Sequence, residues 1–94
     1  MSQIQRLAVI GSGTMGAGIA QVAAASGYEV VLCDVQEAFL EKALKAITGS
    51  YDKFVQKDKM SDADRQAALG RLKTTTKLKE VAQADMVIEA ITEQ

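Results

Sequence analysis

The chain has 94 residues, a formal net charge of −1 and a hydrophobic share of 48%. This length allows at most one small domain, and the composition is ordinary for a globular protein. The near-neutral charge and the lack of a basic block interleaved with aromatic residues argue against a nucleic-acid partner. No apolar run approaches the roughly 20 residues of a membrane span. Because the single cysteine, Cys33, sits in an apolar run and the N-terminus lacks a signal-peptide pattern, we expect a cytoplasmic protein with a buried thiol.

Hydrophobic periodicity and turn residues predict four strands that alternate with helices. In chain order the predicted elements are a strand over residues 6–10, a helix over 14–26, a strand over 29–34, a helix over 37–58, a helix over 61–70, a strand over 74–76, a short helix over 79–84 and a strand over 86–91. Such alternation indicates a parallel sheet with right-handed crossovers, for which we expect the order 3-2-1-4. The fold is therefore predicted to be α/β of Rossmann type. Residues 1–94 would form the N-terminal part of a dinucleotide-binding domain that is incomplete at its C-terminus, since whole domains of this type have more strands.

Two of the predicted helices carry features that bear on packing. In the first helix, Ile19, Val22 and Ala23 form the expected inward stripe. In the long helix, Gly49 interrupts the apolar pattern and predicts a bend or break. A turn near Lys59 joins this helix to the next, and we expect the pair to form a hairpin that projects from the sheet.

The turn after the first strand has the pattern Gly-x-Gly-x-x-Gly. Gly11 permits a tight turn, Gly13 lets the backbone approach a pyrophosphate, and Gly16 lets the helix pack close to the sheet. The N–H groups at the helix start, with their partial positive charge, would face the phosphates. Asp34 follows Gly16 by 18 residues and ends the second strand, where its carboxylate suits the hydroxyls of a ribose.

The order strand, glycine turn, helix, strand and acid predicts a dinucleotide site. We expect the ligand in the crevice between the first and fourth strands, where the strand order reverses. A glycine turn without a ligand is the alternative, whereas a Walker loop is excluded because no Gly-Lys-Ser/Thr follows the glycines. A carboxylate at Asp34 would repel a 2′-phosphate, and Val35 and Gln36 bring no positive charge, so NAD is expected rather than NADP.

Three segments of the sequence together resemble the N-terminal part of the 3-hydroxyacyl-CoA dehydrogenases. They are residues 9–20, 27–30 and 87–90, and the likeness extends over essentially the whole chain, including the long helical hairpin. Within the family, the likeness is greatest to bacterial members that act on 3-hydroxybutyryl-CoA. The resemblance implies an oxidoreductase that interconverts 3-hydroxyacyl-CoA and 3-oxoacyl-CoA by hydride transfer with NAD, so that an acyl-CoA is the expected substrate.

The resemblance also implies roles for individual residues. Those that would hold the pyrophosphate are Gly11, Ser12, Gly13, Thr14, Met15 and Gly16. Asp34 would bind the adenosine ribose, and Glu93 would contact the nicotinamide side of NAD, with a solvated chain end as the alternative for Glu93. On the hairpin, Ser50 and Lys57 match positions that contact coenzyme A, although an ordinary solvated face is the alternative for Lys57.

The resemblance places no catalytic residue in this chain. The family's catalytic His–Glu pair, with its Ser and Asn partners, lies beyond the matched segment, and the sequence has no histidine to act as a general base. We therefore expect residues 1–94 alone to bind NAD without turnover, and we expect no metal site.

An unpaired apolar edge along residues 86–88 predicts self-association, so a homo-oligomer is expected. Three other interpretations stay open at this point. They are a dehydrogenase of the 3-hydroxyisobutyrate or 6-phosphogluconate type, an NAD-sensing module without catalysis, and a methyltransferase that uses S-adenosylmethionine.

Overall fold

The computed structural model describes residues 4–91, which contain one parallel sheet of order β3-β2-β1-β4. The elements are β1 (Arg6–Ile10), α1 (Thr14–Ala25), β2 (Glu29–Cys33), α2 (Glu37–Gln56), α3 (Asp62–Gly70), β3 (Leu72–Thr75), a 3₁₀ helix (Leu78–Gln83) and β4 (Met86–Glu89). The predicted Rossmann-type fold and its strand order are thus confirmed. None of the helices within the described residues is both long and apolar enough to cross a membrane.

The strands are aligned so that their carboxyl ends meet at one edge of the sheet. At the end of β1, Ile10 lies opposite Cys33 of β2 on one side and Glu89 of β4 on the other. Just beyond the strands, the N–H of Gly11 donates to the carbonyl of Cys33 at 2.8 Å, and the N–H of Ala90 donates to the carbonyl of Ile10 at 2.7 Å. The chain segments that leave these three strands are therefore held side by side.

The two faces of the sheet are covered by different amounts of structure. The helices α1, α2 and α3 pack on one face and enclose the main core. Its largest fully buried side chains are those of Val9, Val30, Leu32, Ile47 and Tyr51. On the other face, Ala8 and Cys33 form a small second cluster with Val81 of the 3₁₀ helix.

The buried stripe of α1 consists of small residues, which corrects the predicted stripe. The buried positions are Gly16, Ala17, Ala20, Ala23 and Ala24. The prediction is confirmed at Ala23 but wrong at Val22, whose side chain is 65% exposed, and Ile19 is only half-buried. Small side chains occupy this face because they let the helix approach the sheet closely, whereas a row of larger ones would hold it away.

Three further predictions about local structure differ from the observed elements. The helix α2 runs through Gly49, so the break predicted there is wrong. The strand β3 begins at Leu72 rather than at Thr74, because Leu72 is buried opposite Val30 and starts the pairing. The short helix predicted over residues 79–84 is a 3₁₀ helix that begins one residue earlier.

The helices α2 and α3 form the predicted hairpin, and its inner side lies against α1. The hydroxyl of the buried Tyr51 donates to the backbone carbonyl of Gln21. At the end of α3, the guanidinium of Arg71 donates to the carbonyl of Ala24 through Nε at 3.0 Å and Nη2 at 2.8 Å. These bonds hold the hairpin to α1, while residues 57–59 at its tip are exposed.

Candidate functional site

Two glycines shape the turn between β1 and α1. Gly11 has a φ of +103°, which residues with a side chain rarely adopt. A Cβ on Gly11 would lie 3.0 Å from the backbone of Ala90. A Cβ on Gly16 would lie 1.7 Å from the carbonyl oxygen of Gly11. The first turn of α1 therefore packs directly on the preceding loop, and only glycine at position 16 permits this contact.

Gly13 lies between these two glycines but has different surroundings. A Cβ on Gly13 would meet no protein atom within 4 Å. Its φ of −68° and ψ of −167° are open to any residue. The fold therefore does not require glycine at this position. The open space beside its backbone fits a ligand group that must come closer than a side chain would allow.

The start of α1 is suited to an anion. Gly13 is the N-cap residue, so no side chain caps the helix, and the first turn contains no acidic residue. The first helical bond runs from the N–H of Ala17 to the carbonyl of Gly13 at 2.8 Å. The N–H groups before Ala17 therefore have no acceptor within the helix. Together with the positive end of the helix dipole they can bind an anion at the helix start, as helix N-termini do at phosphate sites.

Asp34 follows β2 directly and is held by the glycine turn. Its Oδ2 accepts hydrogen bonds from the Ser12 N–H at 3.0 Å and the Ser12 hydroxyl at 2.8 Å, and its Oδ1 accepts one from the Gln36 N–H at 3.1 Å. Burial acts to raise the pKa of Asp34, but the hydrogen bonds from Gln36, Ser12 and Val35 outweigh it and hold the pKa below its usual value. The carboxylate is therefore ionised at neutral pH.

A cavity of about 700 Å³ opens at this edge of the sheet. Its size lies within the range of small-molecule sites. The predicted residues that line it are Gly11, Ser12, Gly13, Thr14 and Asp34. The other two residues of the turn do not line this cavity, since the Met15 side chain is 55% exposed outside it and Gly16 is buried beneath the turn.

The wall of the cavity that α2 provides was not predicted from the sequence. Phe39, Lys42, Ala43 and Ala46 line it, and they follow the spacing i, i+3, i+4, i+7 of one helix face. This face adjoins the buried stripe of α2 and begins shortly after Asp34, which is the signal that could have identified it. The cavity is therefore wider than the predicted crevice between β1 and β4, since it extends over the end of β2 as well.

The two predicted coenzyme A residues lie away from the cavity. Ser50 is half-buried, and its Oγ accepts a hydrogen bond from Nε2 of Gln21 at 2.7 Å. Lys57 is the exposed residue at which α2 ends. Glu93 lies outside the described residues, so its contact with the nicotinamide side of NAD stays a prediction.

Cys33 also lines the cavity, at the end of β2. Its burial raises the pKa of its thiol, and the nearby charges of Asp34 and Glu80 raise it further. The thiol is therefore protonated and a poor nucleophile at neutral pH. Within the described part of the chain, no group of three or more His, Cys, Asp or Glu residues is arranged to hold a metal ion.

The sequence matches one family model, described as the 3-hydroxyacyl-CoA dehydrogenase NAD-binding domain, over residues 6–94. A probable 3-hydroxybutyryl-CoA dehydrogenase of Deinococcus radiodurans is 46% identical over 94% of this chain and 31% of its own length. A 3-hydroxybutyryl-CoA dehydrogenase of Mycobacterium tuberculosis is 39% identical over 96% of this chain and 32% of its own length. The chain thus spans about a third of the length of these relatives.

The solved structures that are similar to this chain include dehydrogenases of the same kind. The (S)-3-hydroxybutyryl-CoA dehydrogenase of Ralstonia eutropha superposes with a TM-score of 0.94 and is 38% identical, covering 98% of this chain and 32% of the other. A 3-hydroxybutyryl-CoA dehydrogenase of Escherichia coli K12 superposes with a TM-score of 0.95 at 41% identity, covering 99% of this chain and 20% of the other.

Proposed function

Since this chain belongs to the 3-hydroxyacyl-CoA dehydrogenase family, as its NAD-binding domain, we propose that it binds NAD in the cavity at the carboxyl edge of its sheet. The observation that carries this proposal is the convergence of three features on one cavity. They are the glycine turn, the uncapped start of α1 and the ionised carboxylate of Asp34.

We assign parts of the site to parts of NAD. The backbone N–H groups of residues 11–16 would bind the pyrophosphate, for which the open space beside Gly13 leaves room. Met15 and Gly16 would take part through the backbone rather than through side chains. Asp34 would accept hydrogen bonds from the adenosine ribose, with Ser12 holding its carboxylate in place. Glu93 is assigned to the nicotinamide side from the family resemblance.

We propose that the protein in its full natural length interconverts 3-hydroxyacyl-CoA and 3-oxoacyl-CoA, with 3-hydroxybutyryl-CoA as substrate. NAD supplies the hydride acceptor when it is bound. This chain would bind and orient the cofactor through the Asp34 carboxylate and the N–H groups at the start of α1. Oxidation of an alcohol also needs a base for the hydroxyl proton. The sequence has no histidine, so we assign the proton acceptor to a part of the protein outside residues 1–94.

For the acyl-CoA we propose contacts on the hairpin. Lys57 stands exposed at the tip, where its ammonium group would attract the phosphates of coenzyme A, and Ser50 lies two helical turns away on α2. We also propose that residues 1–94 on their own form a homo-oligomer. Its support is β4, which is an outer strand of the described sheet and has Met86 and Val87 side chains that are 43% and 45% exposed.

The test is NADH formation from 3-hydroxybutyryl-CoA by the protein in its full natural length. We expect turnover with NAD on this substrate and none on 3-hydroxyisobutyrate or 6-phosphogluconate. Residues 1–94 alone, assayed in parallel, should give only background. NAD binding without turnover by the full-length protein would contradict the proposed activity and favour an NAD-sensing module. Turnover by residues 1–94 alone would contradict the assignment of the base.

A further inference from the structure

Gln21 connects the helix of the NAD site with the hairpin. It lies on α1, and its side-chain Nε2 donates a hydrogen bond to Oγ of Ser50 on α2 at 2.7 Å. Its backbone carbonyl accepts a hydrogen bond from the hydroxyl of Tyr51, the next residue of α2. One residue of α1 is thus bonded to two consecutive residues of α2, once through its side chain and once through its backbone.

The direction of the Gln21–Ser50 bond decides what the Ser50 hydroxyl can still do. A hydroxyl oxygen has one hydrogen to donate and two lone pairs that accept. Because the Gln21 amide is the donor, it occupies one lone pair of the Ser50 oxygen and leaves the hydrogen of the Ser50 hydroxyl unused. Within residues 4–91 the Ser50 side chain makes no other hydrogen bond. The hydroxyl is therefore held in place with its hydrogen available to an acceptor outside the protein.

The packing of α2 on α1 has support other than this bond. Tyr51 is fully buried, and its hydroxyl already joins the two helices through the Gln21 backbone. Ile47 is fully buried one turn earlier on the same helix. A hydrogen bond between a half-buried amide and a half-buried hydroxyl adds little to the stability of such an interface. We therefore expect that its main effect is to orient the Ser50 hydroxyl.

We propose that Gln21 is a positioning residue for the acyl-CoA substrate, which fixes the Ser50 hydroxyl as a hydrogen-bond donor to an oxygen of coenzyme A. This inference rests on the proposed function, which assigns Ser50 to that ligand. Phosphate and carbonyl oxygens, which coenzyme A carries in number, are the acceptors such a donor fits. The same helix would thus present its N-terminus to the pyrophosphate of NAD and its Gln21 side chain to the contact with the second substrate.

Two substitutions of Gln21 test the inference in the full-length protein. Gln21→Met removes the amide donor and keeps a similar volume. Gln21→Glu keeps the shape but reverses the bond, since a carboxylate only accepts and would take the hydrogen of Ser50. Each should raise KM for 3-hydroxybutyryl-CoA about fivefold, the loss of one ordinary hydrogen bond, and leave kcat and KM for NAD unchanged. Gln66→Met is the matched control, since the amide of Gln66 bonds to Asp62 within α3.

A double-mutant cycle separates positioning from packing. If Gln21 acts through Ser50, Gln21→Met should have no further effect on KM in a Ser50→Ala background. An effect of the same size in both backgrounds would overturn the inference. So would a lowered melting temperature of Gln21→Met together with an unchanged KM, because that is the signature of packing alone.

Failure of the proposed function would give results that can be distinguished from failure of the Gln21 inference. In that case the unsubstituted protein would not turn over 3-hydroxybutyryl-CoA, or Ser50→Ala would leave KM for acyl-CoA unchanged. Either result would remove the basis of the Gln21 inference as well. An unchanged KM in Gln21→Met beside a raised KM in Ser50→Ala would overturn the Gln21 inference and leave the proposed function standing.

Discussion

The carboxyl edge of the sheet and the helical hairpin were both assigned binding roles, but they are built in different ways. At the edge, five of the predicted residues line one cavity, and the hydrogen bonds between Ser12 and Asp34 join the two ends of the predicted motif. On the hairpin, Ser50 faces α1 and Lys57 faces solvent at the tip. The first region is a formed cavity, and the second is a helical surface.

The two regions differ because strands position the residues of the first region and helices position those of the second. Parallel strands in register bring their carboxyl ends together, so a turn after β1 and an acid after β2 must be neighbours. Residues on a helix are positioned only relative to their own helix, and what they face depends on how that helix packs. Substitutions in the two regions can therefore sharpen or break this contrast.

The largest effect should come from Gly16→Ala, compared with Gly13→Ala in the same turn. A Cβ on Gly16 would lie 1.7 Å from the Gly11 carbonyl oxygen, so the loop must move, and we expect a loss of stability of about 3 kcal/mol. A Cβ on Gly13 meets no protein atom, so Gly13→Ala should leave the melting temperature nearly unchanged. It should still weaken NAD binding at least about tenfold, because the methyl group fills the space assigned to the pyrophosphate.

Thermal unfolding and NAD titration of the two variants check this pair. Equal melting temperatures for Gly16→Ala and Gly13→Ala would contradict the packing of α1 on the turn. Unchanged NAD affinity in Gly13→Ala would show that the pyrophosphate does not lie against this backbone.

A smaller effect is expected from Lys57→Ala on the hairpin. Loss of one exposed positive charge should raise KM for acyl-CoA about two- to fivefold, since exposed charge pairs contribute little each. KM for NAD should stay the same, because Lys57 does not line the cavity. Lys45→Ala, at another exposed lysine that lies on α2, is the control. If both variants behave alike in steady-state kinetics, Lys57 is an ordinary solvated lysine.

The smallest effect concerns acid stability at Asp34. Because its pKa is lowered in the folded protein, Asp34 stabilises the fold above the ordinary value of 3.8, and this contribution is lost as the pH falls through the lowered pKa. Urea unfolding from about pH 5 down to about pH 3 should therefore show a shallower loss of stability in Asp34→Asn than in the unsubstituted protein. A parallel loss in both proteins would refute the role of the hydrogen bonds to Asp34.

Asp85 is the matched carboxylate for this experiment. Its Oδ2 accepts hydrogen bonds from the N–H groups of Gln5 and Arg6, which lower its pKa in the same direction. Asp85→Asn should also reduce the acid sensitivity of the fold, but it should leave NAD affinity unchanged because Asp85 does not line the cavity.

The sequence was sufficient to predict the strand order and the glycine turn, because each depends on a local pattern with one structural solution. The predictions from sequence were wrong where the local structure depends on what a helix packs against. The apolar periodicity placed Val22 on the inward face of α1, although close contact with the sheet is made by the alanines of that helix. Gly49 suggested a break, yet the buried neighbours Ile47 and Tyr51 keep α2 intact.

The same limit applied to the site. The motif identified one wall of the cavity, whereas Phe39 and Lys42 on the wall formed by α2 belong to no motif. The packing of α2 against α1 and β3 brings these two residues to the cavity. The contact between Gln21 and Ser50 lies between two helices that are 29 residues apart in sequence at this point, and no local pattern could have indicated it.

The central claim is that Asp34 binds the ribose of NAD in this cavity, and comparison of NAD with NADP tests it most directly. Calorimetric titration of the full-length protein should show NAD bound at least about tenfold more tightly, since the ionised carboxylate accepts from ribose hydroxyls and repels a 2′-phosphate. Asp34→Ala should weaken NAD and narrow that gap. Equal affinities for the two cofactors in the unsubstituted protein, or an unchanged preference in Asp34→Ala, would contradict the account.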